Sequence, residues 1–482
     1  MESLNNNVLS LKDMAMRRMV AALFKESDIL ASIRNFRRKS VSWNDESLKV
    51  WRETVEDKMS DKISKIGLPK SLKKLLIDTS KPMGRHIQGW KTLHEEYLLD
   101  SREKVIPFDA PILERLCWTA AGELDYHKTA EELIRSDVIG VVGRYKIACL
   151  YCLEDWIPLF WNELPEERKL YFYDERRYCE GRGLRLQFWW PYIIRGEQSK
   201  LDSLIRSYGI ARILFHQYAF QYSAAIRNKA AAEYFFKKLT QEEREASLIR
   251  TTRELLSSLN WNGGKFPKEK ASETLCYLLS VMTPDQQMLI FQQDNHAVLE
   301  CLLHWPLQDR FSEIADLVWN FIPERGYNSV LRKMYENFKN SGHYFQVLFQ
   351  EFFLRIPSDI KKGFVARECT ACSYFDNILC FKDLEALETT FRCVDAATRS
   401  ALVSSKLALA HFRSSITRGQ WDVVAVCLRE AMFSKEDRER LKKMSIQTRK
   451  WTQFFQFLDE SDASGKRCSE DETPTEAKMK KT

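Results

Sequence analysis

At 482 residues the chain is far longer than one hydrophobic core requires; as compact domains it makes two to four, and as a solenoid it runs the whole length. Glycine (17) and proline (13) together are about 6% of the residues, roughly half the usual share, while aromatics reach 12%, which is a helical, core-rich composition. The formal charge is +7; residues 1–91 carry 19 Lys/Arg against 11 Asp/Glu, or +8, and the remainder is −1, so any basic character is N-terminal.

Lys12, Asp13, Arg17 and Arg18 interrupt every apolar run in residues 1–24, which argues against a secretory signal, and no apolar stretch approaches the roughly 18 residues of a membrane span. The expectation is an intracellular, cytoplasmic protein without a transmembrane segment. The twelve cysteines fall mostly within apolar helical patterns and no Asn-x-Ser/Thr sequon is present, so free thiols are expected. After residue 458 the text becomes polar (DESDASGKRCSEDETPTEAKMKKT), and 459–482 is expected to be a disordered tail. Lys478 and Lys480 match a C-terminal retrieval pattern of membrane proteins, but the pattern has no meaning without a span.

In chain order, the spacing predicts an amphipathic helix over 9–33, with Leu11, Met14, Ala15, Met19, Ala22 and Leu23 on one side, closed by the basic run Arg34 to Lys39. A second helix is expected over 43–66, carrying Trp51, Val55, Met59 and Ile63 and ended by Gly67 and Pro69. Two more follow over 68–77 and 87–99. Together these form a basic N-terminal helical region, 1–110.

From 111 to 458 a hairpin pattern recurs. It is clearest over 214–248: Phe215, Tyr218, Ala219, Tyr222, Ala225 and Ile226 lie on one helical face, Arg227, Asn228 and Lys229 form a polar turn, and Ala231, Ala232, Phe235, Phe236 and Leu239 resume the face. Thr240 and Glu243 then make a capping box, and Thr283 and Gln286 make a second one at a later junction. The same hairpin is expected over 145–164, turning at Leu153 to Asp155, and over 407–433, turning at Thr417 to Gln420. The junction that ends each second helix recurs at Leu164, Leu239, Met282, Ile322, Ile356, Val394 and Phe433, with spacings of 75, 43, 40, 34, 38 and 39 residues. A period of 34–43, with 75 as two periods, is that of helical repeats, so the expected fold is all-α: an α-solenoid of stacked helical hairpins without significant sheet. Trp261 to Pro267 (WNGGKFP) marks a sub-block boundary near 260–268.

The hairpins YKIACLYCLEDWIPLFWNELP, HQYAFQYSAAIRNKAAAEYFFKKLT and LALAHFRSSITRGQWDVVAVCLREAM resemble the helix pairs of ankyrin repeats, although the Thr-Pro-Leu-His signature and the glycine-containing β-turns are absent. Over most of its length, including LKDMAMRRMVAALFKESDILASI and AAEYFFKKLTQEEREASL, the chain also resembles a group of helical proteins abundant in arachnids. That resemblance implies a helical fold and transfers no catalytic residue.

Chemistry-bearing patterns are sparse. Cys149 and Cys152 form one C-x-x-C; Cys369 and Cys372 form another, with Cys380 and Cys393 downstream at zinc-compatible spacing, but apolar helical surroundings favour core thiols over a metal site. The eight histidines form no H-E-x-x-H, and Cys301 with His304 shares a helical face without an orienting carboxylate. No phosphate-binding glycine loop is present, and Phe188, Trp189, Trp190 and Pro191 read as core rather than as a ligand platform. No catalytic, cofactor or metal residue is therefore assigned. The expected function is a non-enzymatic scaffold or adaptor for unidentified protein partners, with binding on the hairpin turns: Glu154, Asp155, Arg227, Asn228, Lys229, Arg418 and Gln420. Binding of nucleic acid or anionic lipid through the N-terminal region is the first alternative, although a nucleic-acid partner is not expected, and an enzyme without a recognisable motif is the second.

Overall fold

The computed structural model describes residues 10–36, 45–98, 110–119, 121–174, 185–207, 213–259, 265–304, 307–341, 346–361, 375, 378–379 and 383–431. These residues are helical, with no strand among them and one isolated bridge, between Trp118 and Leu124. The chain divides into two compact units, one of Met1–Ile322 with Asn337–His343 and the other of Pro323–Glu336 with Tyr344–Thr482.

In the first unit, the helix expected over 9–33 is two: α1 (Leu11–Leu23) and α2 (Ser27–Asn35), separated at Phe24 to Glu26. The break lets both apolar faces pack, burying Val20 and Phe24 from one side and Ile29, Leu30 and Ile33 from the other. Residues 37–39 of the basic run lie outside the described residues. The next helix follows expectation more closely. α3 (Asp45–Trp51), a π-helical turn (Arg52–Glu56) and α4 (Asp57–Lys65) run on continuously and bury Trp51, Val55, Met59 and Ile63.

The two helices expected over 68–77 and 87–99 are one 29-residue helix, α5 (Lys70–Leu98), which continues through Pro82. A proline inside a helix removes one ladder hydrogen bond and costs about 3 kcal/mol, so tertiary packing must offset it. Pro82, Met83, Gly84, Ile87 and Trp90 are all buried, and α5 packs against α1 and α4. A Cβ at Gly84 would stand 3.1 Å from the rings of both Phe24 and Trp51, so glycine is what lets these aromatics close on the helix.

The helices of the first unit continue with α6 (Ala110–Leu113), α7 (Tyr126–Arg135), α8 (Val141–Leu150), α9 (Ile157–Glu163), α10 (Glu166–Phe172), α11 (Leu186–Ile194), α12 (Gln198–Ser207), α13 (Phe215–Ala225), α14 (Lys229–Lys237), α15 (Gln241–Ser257), α16 (Lys270–Ser280), α17 (Pro284–Gln293), α18 (Asn295–Leu302) and α19 (Phe311–Val318). Both expected capping boxes form, Thr240 with Glu243 on α15 and Thr283 with Gln286 on α17. Trp189 and Trp190 are core residues; Trp189 meets Phe215, Tyr222 and Phe235 within 6 Å, which fixes α11 against α13 and α14. The part of the 261–267 loop that is described is tied inward, since Phe266 N–H donates to the Ile226 carbonyl at 3.2 Å.

In the second unit, α20 (Glu324–Ser341), part of which belongs to the first unit, is followed by α21 (Gln346–Arg355), α22 (Leu384–Arg392), α23 (Ala396–Val403), α24 (Lys406–Thr417) and α25 (Asp422–Ala431). α22 packs against α21 and α25, and α25 also meets α23 and α24. Asp395 caps α23 just after the Val394 junction; the junction at Phe433 and the tail after 458 lie outside the described residues.

Candidate functional site

The three hairpin turns share one backbone device. Cys152, Arg227 and Gly419 each sit just past a helix with φ of 52°, 69° and 71°. The residue after each donates its N–H to the carbonyl five residues back: Leu153 to Ala148 at 3.0 Å, Asn228 to Ser223 at 2.9 Å and Gln420 to Ser415 at 2.9 Å. This is a Schellman cap, which satisfies helix-end carbonyls and reverses the chain. Glycine adopts the left-handed conformation freely, whereas Cys152 and Arg227 hold it at a cost that their surroundings must offset.

Those surroundings correct the expectation that the turn 227–229 is a free edge. Arg227 is 2% exposed and Asn228 is 1% exposed. The Arg227 guanidinium donates to the carbonyls of Ser258 at 2.7 Å and Phe266 at 3.2 Å, while the Asn228 amide donates to the Leu150 carbonyl at 2.7 Å and its Oδ1 caps α14 through Ala231 N–H. Burial lowers the Arg227 pKa, with Glu269 opposing. The two residues are fasteners between neighbouring elements, because Ser258, Phe266 and the end of α8 pack over this turn. They do not form an accessible recognition edge.

Half-buried Lys229 points to an ionic cluster that sequence reasoning missed. Its Nζ stands 3.6 Å from Glu273, which also accepts from Lys270 at 2.8 Å. The buried Lys270 ammonium donates to the Leu124 carbonyl at 3.3 Å and sits 4.2 Å over the Tyr126 ring. Burial works against this charge, yet Glu273 and Glu123 hold the ammonium above the usual lysine range. Burial also pushes the Glu123 carboxyl up to about 7, with Lys270 pulling it down and Glu273 pushing it further. Glu273 ends below the ordinary carboxylate range despite burial, because Lys270 and Lys229 both face it. His86 is driven down to about 3 by burial and by Lys270, so it is neutral. The cluster joins the 118–126 segment, α5, the α13–α14 turn and α16. The one local signal for it was the Lys270–Glu273 spacing on a helix, which is too common to stand out.

The remaining turn residues are accessible. Glu154 and Asp155 are exposed, and the Glu154 carboxylate accepts from the Tyr234 hydroxyl at 3.0 Å and from Lys238 at 3.1 Å, linking the α8–α9 turn to α14. The Tyr234 ring lies 5.4 Å from that of Trp190, tilted by 47°. Trp156 follows in the turn with the Arg135 guanidinium 5.9 Å over its ring. In the second unit Arg418 is exposed and Gln420 is half-buried.

Among the described residues, the cysteines and histidines form no metal-ligating group. Burial raises the thiol pKa of Cys149, Cys152, Cys301 and Cys427 well above the usual range and pushes Cys276 up to about 11, which suppresses thiolate. His94, pushed down to about 4 by burial, donates from Nδ1 to the Trp90 carbonyl at 2.7 Å, so its Nε2 accepts from the Tyr151 hydroxyl at 2.8 Å. No group of three metal-ligating side chains occurs among the described residues; Cys369, Cys372 and Cys380 lie outside them. No described helix is long and apolar enough to cross a membrane.

No protein-family profile matches the chain, and no curated protein is significantly similar to it.

Proposed function

We propose that the chain is a non-enzymatic interaction scaffold of stacked helical hairpins, acting within the cell through binding alone. The observation that carries this reading is the exposed patch built from two hairpins, α8–α9 and α13–α14, where Glu154 meets Tyr234 and Lys238, and Asp155 and Trp156 lie alongside. Aromatic side chains held at the surface by charged neighbours are the residue types that anchor protein interfaces. The recurrence of the same cap geometry at Cys152, Arg227 and Gly419 supports a repeating hairpin. The ionisable groups of the interior support binding over chemistry, since Lys270, Glu273, Arg227 and His94 each fasten one element to another.

The test is capture of partners by the tagged full chain from its native tissue, identified by mass spectrometry. A variant combining Glu154→Lys, Tyr234→Ala and Lys238→Glu is expected to lose a specific partner while its circular dichroism spectrum is unchanged. Retention of every partner moves binding away from this patch.

A further inference from the structure

The net positive charge of the N-terminal region has a definite place in the fold. Residues 62–77 (KISKIGLPKSLKKLLI) contain five lysines and no acidic residue. They form the corner where α4 ends and α5 begins, with only Ile66 to Pro69 between the helices. The corner is held by Lys73, whose Nζ reaches the Ser64 carbonyl across it at 2.5 Å, and by Lys73 N–H, which donates to the Pro69 carbonyl at 3.0 Å.

Lys62 is paired with Glu26 and Asp28, and neighbouring Lys58 donates to Ser32 at 2.8 Å, so both belong to the packing of α4 on α2. Lys65, Lys70 and Lys74 are exposed, with no ion pair to a carboxylate among the described residues. The nearest acidic residues along the chain are Asp61, one turn before Lys65, and Asp78, which pairs with Lys81. This arrangement opposes local stability in two ways. The first turns of α5 hold lysines and no acid, against the helix dipole, and Lys70 repels Lys73 and Lys74 at the i+3 and i+4 positions. Local rules broken without compensation inside the fold point to a partner outside it.

Three half-exposed aliphatic residues, Ile66, Leu68 and Leu72, lie between these lysines and Leu75 follows them, while residues 62–77 contain no aromatic side chain. A single-stranded nucleic acid draws affinity from stacking as well as charge, and the corner has nothing to stack. An anionic bilayer meets both features, because the ammonium groups reach the headgroup phosphates while the lysine stems and leucines enter the boundary with the acyl chains.

We propose that the α4–α5 corner is a docking surface for an anionic membrane leaflet, with Lys65, Lys70 and Lys74 as the headgroup contacts and Leu68 as the apolar tip. This does not depend on the scaffold reading, and a scaffold so equipped would gather its partners at a membrane face.

The test uses the full chain in co-sedimentation with phosphatidylcholine vesicles, plain or with about one lipid in three replaced by phosphatidylserine. The expected result is binding to the anionic vesicles alone, weakened by added salt. Lys65→Glu/Lys70→Glu/Lys74→Glu should lower the partition roughly tenfold or more, since each basic residue near an anionic surface contributes several-fold. The same variant should keep the parent circular dichroism spectrum and melt close to the parent temperature, because all three positions are exposed, so loss of binding cannot come from unfolding. Leu68→Ser should weaken binding while preserving its dependence on salt. Equal binding to plain and anionic vesicles, unchanged binding by the triple variant, or tighter binding to a single-stranded oligonucleotide than to the anionic vesicles would overturn the proposal.

Discussion

The Asn228 side-chain amide donates to the backbone carbonyl of Leu150 across 2.7 Å, so the turn of one hairpin closes the first helix of another hairpin 78 residues earlier. The carbonyl would otherwise be one of the orphan acceptors at the end of α8. Both residues are buried, and water cannot substitute easily. Asn228→Ala should therefore cost about 2–4 kcal/mol, combining the lost cap of α14 with a stranded carbonyl. Urea unfolding of the variant checks this; a change below 0.5 kcal/mol, on the order of an ordinary surface substitution, would mean that the bond is not maintained.

Arg227 and Arg418 occupy adjacent steps of the same turn geometry yet should respond oppositely. Arg227→Ala removes the donors to Ser258 and Phe266 and should destabilise the chain by about 2–3 kcal/mol. Arg418→Ala lies on the surface and should leave the melting curve nearly unchanged. Parallel thermal melts of the two variants decide the matter.

Phe235 sits among Trp189, Phe215 and Tyr234, fully removed from solvent. Phe235→Ala should cost roughly 3–5 kcal/mol through lost burial and the cavity left behind. Near-ultraviolet circular dichroism should change along with stability, because the tryptophan loses its neighbour.

The Glu123 carboxyl, pushed up to about 7, binds a proton in the folded chain over a range where the unfolded chain has released it. Its contribution to stability is full below the ordinary glutamate value near 4.5 and is lost as pH rises through about 7. Glu273, held below its ordinary value, contributes in the opposite sense and loses its effect as pH falls below 4.5. Melting temperature relative to a Glu123→Gln variant should therefore fall between pH 4.5 and 7. A constant difference across that window would mean that burial does not hold the Glu123 carboxyl above its ordinary value.

Cys149, Cys152, Cys301 and Cys427 should resist a thiol reagent in the native chain and react together on unfolding, since burial both shields them and disfavours thiolate. Titration with a chromogenic disulfide in buffer and in guanidinium gives the two counts. Rapid labelling of any of the four in buffer would contradict their placement.

Helical class, the hairpins at 145–164, 214–239 and 407–431, and both capping boxes were legible in the sequence, because they depend on residues within four positions of one another. Trp51, Val55, Met59 and Ile63 show this directly, as their spacing alone placed them on one buried face. The fate of Pro82 and of the turn residues was decided elsewhere. α5 continues through Pro82 because Phe24 and Trp51, brought from other helices, pack on that segment. Arg227 looks like a solvent-facing turn residue until Ser258 and Phe266, 31 and 39 residues later, supply its acceptors. Lys270 and Glu123 are separated by 147 positions and carry no shared local pattern, so only folding could set their charges against each other. Periodicity reports which side of a helix is apolar; whether a polar group is covered depends on which distant segment arrives opposite it, and that is settled by tertiary packing alone.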